Sequence, residues 1–192
     1  MYFVAGIFAV LFLSILGGTS ALNTCDKTII ENIYSINNHP QCILETGYEL
    51  GHLTFWALPR EDLTGVSGLK CIESYLDPPS GKCASGHVIY HFSNGTSIVI
   101  NYTYYDEGNG HIKEFDESGN EFDLYSLNID NTSCYYRCVT SKKDGWSFAG
   151  VAVSIGTQND PVVADAVAEC KKKIEIVGIQ VDLVDLTLCT NC

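Results

Sequence analysis

The chain has 192 residues, with 23 acidic side chains against 11 basic ones and a formal net charge of −12. That imbalance argues against nucleic acid and anionic membrane surfaces as partners, because both repel a negative protein. The length suits one compact domain with a real core.

Residues 1–21 carry no charge, and their apolar run from Tyr2 to Leu16 is followed by small residues. Thr19 and Ala21 stand where a signal peptidase requires small side chains, so cleavage is predicted after Ala21. The run falls short of the ~20 apolar residues that span a bilayer, which argues against stable membrane insertion. The expectation is a secreted, extracellular domain over residues 22–192. All nine cysteines (Cys25, Cys42, Cys71, Cys83, Cys134, Cys138, Cys170, Cys189 and Cys192) lie beyond the leader. Outside the cell they read first as disulfide partners, each bridge adding roughly 2–4 kcal/mol. Nine is odd, so at least one thiol is free, capped or paired with another chain. Sequons at Asn94, Asn101 and Asn131 predict surface glycosylation.

Residues 28–34 suit either a short helix or a strand. Residues 50–58 and 69–76 are candidate first and second strands. From residue 87 the pattern becomes a β-meander. Segments 87–92 and 97–105 are rich in β-branched and aromatic residues and flank Asn94-Gly95, a strong hairpin signal. Further strands are predicted at 111–115, 121–129, 134–140 and 146–155, with turns at 117–120 and 142–145. Short strands at such regular spacing suggest a sandwich or an up-and-down barrel. One helix follows, with Asp160 as its cap and Pro161 in the first turn. Val163, Val167, Cys170, Ile174 and Val177 give it an apolar stripe, and Gly178 ends it. Residues 179–188 alternate loosely, as a last short strand would.

If Asn101 faces outward to carry sugar, alternation turns Ile98, Ile100, Tyr102 and Tyr104 inward. Two isoleucines and two tyrosines suit a pocket for an apolar ligand with polar handles, and equally suit a solid core. Tyr125 is a further inward candidate whose parity is not fixed. Cys134 and Cys138 are about 13 Å apart along an extended strand and should not bond each other. His87 and His91 have the same spacing, too wide to chelate one metal, and read as rim residues. Cys189-Thr-Asn-Cys192 lacks the helix start that activates a redox pair and reads as a structural tail bridge. The acidic turn 116–123 lacks the ligand spacing of a calcium loop. Hydrolase elbows, metalloprotease pairs, phosphate loops and dinucleotide fingerprints are all missing from the sequence, so neither catalysis nor a resident metal is expected.

Asp130-Asn-Thr-Ser-Cys-Tyr-Tyr-Arg-Cys138 resembles a segment of the lipocalins, most closely the arthropod bilin-binding and apolipoprotein D branch. Leu69-Lys-Cys-Ile-Glu-Ser-Tyr75 resembles that group's second strand, and the helix from Asp160 with its cysteine-bearing tail resembles the group's C-terminal helix. The Gly-x-Trp usual in the first strand is missing; Gly51-His-Leu-Thr-Phe-Trp56 stands in its place. The resemblance implies an all-β fold, an up-and-down antiparallel eight-stranded barrel with one C-terminal helix packed outside. It implies bridges Cys25–Cys138 and Cys71–Cys189, leaving Cys42, Cys83, Cys134, Cys170 and Cys192 unassigned. It also implies a carrier of a small hydrophobic molecule such as a bilin, retinoid, sterol, fatty acid or pheromone-like compound, with no cofactor in the catalytic sense. The acidity adds a cationic amine as a variant ligand. The alternative is a secreted effector or inhibitor with a filled barrel and a protein-binding surface.

Overall fold

Eight consecutive strands alternate inward and outward side chains, and their hydrogen bonds close the sheet on itself. The computed structural model describes residues 25–36, 42–63, 66–128, 130–139 and 147–189. The predicted leader, the predicted turn 142–145 and Cys192 lie outside these residues.

Helices α1 (Lys27–Ile36) and α2 (Ile43–Glu49) precede strand β1 (Leu53–Pro59), and one helical turn, α3 (Arg60–Leu63), follows it. The meander then runs β2 (Leu69–Leu76), β3 (Cys83–Phe92), β4 (Ser97–Gly108), β5 (His111–Asp116), β6 (Glu121–Asn128), β7 (Ser133–Val139) and β8 (Ser147–Ser154). Helix α4 (Pro161–Ile176) and the short strand β9 (Leu183–Asp185) end the described chain. Each strand from β2 to β8 pairs antiparallel with the next, and β8 returns to β1. Strand β1 meets β2 only through Leu53 and Thr54, opposite Ser74 and Glu73. Beyond that point β1 pairs with β9 instead, through Ala57, Leu58 and Pro59.

Residues 28–34, open between helix and strand in the sequence, are helical: Asp26 Oδ1 accepts from Thr28 N at 2.8 Å and caps α1. The expected C-terminal helix is present, capped by Asp160, whose side chain accepts from Val162 N. Among the described residues three shorter helices accompany it.

The largest apolar cluster lies outside the barrel. Val163, Val167, Cys170 and Ile174 of α4 and Ile29 and Ile33 of α1 cover Leu127, Tyr136, Val151 and Val153 of the wall. Disulfides pin both helical segments there: Cys25 to Cys138 and Cys134 to Cys170. A third bridge ties the tail to the second strand, Cys71 to Cys189. The first and third are the pairings the resemblance implies. Alternation explains the other one. Cys134, Tyr136 and Cys138 share the outer face of β7, and Cys170 lies on the apolar stripe that docks on that face. Among the described residues, the thiols of Cys42 and Cys83 are unbridged.

Candidate functional site

The inner face is set by register. Ala84, Gly86, Val88 and Tyr90 of β3 stand opposite Tyr104, Tyr102, Ile100 and Ile98 of β4. Ile98, Ile100, Tyr102 and Tyr104 therefore share one face with the buried Ala84 and Val88, while Asn101 sits with His87 on the other. Gly86 explains how a tyrosine lies against this wall. A Cβ there would come within 2.8 Å of Tyr104 Cε2 and 2.9 Å of the Tyr75 carbonyl. Gly150 plays the same part for Tyr135, since a Cβ would meet its ring Cζ at 2.6 Å.

The inward residues form two clusters. At one end Ile43 and Leu44 of α2 plug the barrel against Ala84, Ile112, Leu76, Tyr104 and Leu124. The Asp106 carboxylate accepts from Ile43 N at 3.2 Å and from Gly108 N at 2.7 Å, which seats the plug helix. At the other end Leu58, Ile72 and Val88 are buried, but Phe55, Leu69, Tyr90 and Tyr102 around them are only half-buried. Ile100 is half-buried and Ile98 is 36 % exposed at the lip. This end is an apolar, aromatic mouth.

Between mouth and plug stands a charged pair. Arg137 Nη2 donates to Glu114 Oε1, and their side chains are only 9 % and 6 % exposed. The guanidinium lies 3.6 Å from the Phe122 ring centroid, 5.6 Å from that of Tyr102 and 5.5 Å from that of Phe148. Tyr102 and Phe148 also belong to the mouth cluster, so the pair borders it directly. Burial pushes the Glu114 carboxyl above the usual glutamate range even though Arg137 pulls it down. Burial opposes the Arg137 charge, but Glu114 together with Tyr102 and Tyr135 more than offsets it. Burial also raises the Tyr102 and Tyr104 hydroxyls well above the ordinary phenol value, so both stay protonated donors.

Tyr125 is elsewhere. It packs on the outer face among Ile29, Ile33 and Leu127, stacked on His111 at 4.6 Å and edge-on to Tyr34 at 6.1 Å. Its parity follows from β6, where Phe122 and Leu124 take the inner face. His87 and His91 also face out. His87 Nδ1 meets Asn101 Oδ1 at 2.5 Å, and His91 Nε2 meets Glu73 Oε1 at 2.7 Å. Glu73, His91 and the Cys189 sulfur gather within 4.8 Å, but that sulfur is committed to Cys71. Asn94 and Asn131 are exposed; Asn101 is half-buried, its amide donating to Glu117. Sequence reasoning passed over Arg137 and Glu114. The signal was parity: Glu114 shares a face with Ile112, and Arg137 alternates with two outward-facing neighbours, Tyr136 and Cys138.

No family model and no curated protein matches the sequence. Solved structures do. Apocrustacyanin C1 aligns with a TM-score of 0.59 at 16 % identity, over 90 % of this chain and 91 % of that one. Lobster apocrustacyanin A1 gives 0.54 at 19 % identity, over 73 % and 77 %. Japanin from Rhipicephalus appendiculatus, solved bound to cholesterol, gives 0.52 at 10 % identity, over 77 % and 98 %. Crustacyanins are arthropod lipocalins, and this chain has the lipocalin fold.

Proposed function

We propose that the protein is a secreted carrier of one small, mainly apolar molecule, held in the mouth of the barrel. The observation that carries this reading is the contrast between the two ends. One is plugged by α2, whereas the other leaves Tyr90, Ile98, Ile100 and Tyr102 partly open to solvent. Apolar area left uncovered in this way gains roughly 25 cal/mol per Å2 when a ligand covers it. Tyr102 supplies a polar handle at the inner edge. Tyr104 stands deeper, against the plug, and serves as wall; Tyr125 lies outside the binding end altogether.

Export fits the three disulfides, and no helix among the described residues is long and apolar enough to cross a membrane. The proposal includes removal of residues 1–21 and glycans on the outer surface at Asn94, Asn101 and Asn131, the second at an amide whose nitrogen donates to Glu117. The structural neighbour bound to cholesterol supports a sterol-sized occupant. Titration of the purified mature protein with retinol, read by the probe's own fluorescence, tests the reading. Saturable one-to-one uptake is expected. Failure to take up retinol, with no small molecule found by native mass spectrometry of secreted protein, overturns it.

The effector alternative has its own observation. Tyr105 and Phe115 meet edge-on at 5.7 Å on the outer wall, beside Thr103, Glu107 and Lys113 around a shallow recess of about 460 Å3. Pull-down of a stable protein partner that Tyr105→Ala abolishes would favour it.

A further inference from the structure

We propose that the barrel selects an uncharged ligand whose polar end is a hydroxyl or carbonyl, because Arg137 and Glu114 cancel each other at the inner edge of the mouth. The inference rests on the carrier reading and goes beyond it by naming the class of head group.

Consider first an anionic head. A carboxylate entering the mouth needs the guanidinium, and Glu114 already holds it. Displacing Glu114 strands a carboxylate in a site where its side chain is 6 % exposed, a costly exchange. Asp116 adds to the repulsion. It stands on the same face of β5 as Glu114, and its carboxylate is already engaged by Ser118 N at 2.9 Å, Asn120 N at 2.9 Å and Asn120 Nδ2 at 2.6 Å.

A cationic head fares no better. Aromatic faces are where a buried ammonium gains most, and the faces of Phe122, Tyr102 and Phe148 already surround the protein's own cation. A second cation would meet Arg137 at close range in a water-poor site. The overall acidity of the chain, which favours cations at long range, is therefore countermanded at the site itself.

A neutral hydroxyl or carbonyl joins without breaking the pair. A hydroxyl offers a donor to carboxylate oxygen and an acceptor to guanidinium or phenol, and a carbonyl accepts from either donor. The Tyr102 hydroxyl, kept protonated by burial, is one such donor on the mouth side. Specificity of this kind comes from penalising the wrong partners as much as from rewarding the right one.

Equilibrium dialysis at neutral pH of dodecanol, dodecanoate and dodecylammonium, which share one chain and differ in head group, tests the proposal. Dodecanol is expected to bind at least tenfold more tightly than either charged probe. In Glu114→Gln the ratio of dodecanoate to dodecanol affinity should rise at least tenfold, since the guanidinium then no longer faces the Glu114 carboxylate. In Arg137→Gln the ratio for dodecylammonium should rise several-fold. Ratios within one protein are insensitive to a general loss of stability, and if either variant fails to fold by circular dichroism the wild-type ranking decides. Dodecanoate binding as well as dodecanol overturns the head-group assignment and leaves the carrier reading intact. Uptake of none of the three, with none of retinol, overturns both.

Discussion

Beneath α1 and α4 the outer face of the wall is mainly apolar and stapled by two disulfides, whereas the inner face keeps Arg137, Glu114, Asp106 and Asp116 among its aromatics. In most small barrels the inside is the core. Here the largest buried apolar cluster lies outside, where Tyr136, Val151, Val153, Ile174 and Val177 are fully buried. The lesson is a division of labour. Stability drawn from the helix-covered face releases the interior from close packing, and a mouth left half-covered becomes tolerable. Polar groups inside, each costly unless paired, then serve recognition.

The largest expected effect comes from breaking the inner pair. Glu114→Gln leaves a buried guanidinium that cannot shed its charge, and we expect a loss of about 3–5 kcal/mol in urea unfolding. Arg137→Gln should cost less, because the remaining carboxyl neutralises by taking up a proton. Its sign with pH follows: the folded-state pKa of Glu114 lies above the unfolded one, and losing Arg137 raises it further. The stability of that variant should be highest below the ordinary glutamate range and fall as pH rises through the raised value. Replacing both, Glu114→Leu with Arg137→Met, should leave stability unchanged or higher by about 1–4 kcal/mol, which would mark the pair as retained for recognition rather than strength.

On the outer face, Ile174→Ala should lose about 2–5 kcal/mol without altering the head-group ranking of ligands. A ranking that shifted with this variant would blur the separation of the two faces. Removing the α4 cap with Asp160→Ala should cost about 1 kcal/mol, again with ligand binding intact. The smallest change in stability is expected at the lip. Ile98→Ala, at a side chain already 36 % exposed, should stay within about 0.5 kcal/mol in unfolding yet weaken retinol uptake. If Ile98→Ala instead unfolded the protein, the mouth would belong to the core.

Strands were legible where the sequence alternates cleanly and turn residues punctuate it, as in 97–105 about Asn94-Gly95. Here β4 begins as expected and runs on to Gly108. Helix α4 was legible through its cap and stripe. Helix α2 was not: Cys42 gives it no side-chain cap, and the group that seats it, Asp106, is 63 positions away. Tyr125 misled because parity within a strand is relative, and only its neighbours Phe122 and Leu124 say which side is in. The Cys134–Cys170 bridge required knowing where α4 docks, a tertiary fact. Arg137 and Glu114 drew no attention in the sequence because their meaning arises only when β5 and β7, separated by β6, bring them together inside the barrel.

The narrow seam between β1 and β2 has a consequence for how the protein is made. Only Leu53 and Thr54 join those strands directly; beyond them β9 and the Cys71–Cys189 bridge do the lacing. A chain made only as far as β8 lacks β9 and Cys189 and holds a meander whose β1–β2 seam rests on two residue pairs, with strand edge left bare beyond them. The lacing of that seam therefore waits until Cys189 has been made, and a chain cut before it keeps an edge open to pairing with another copy.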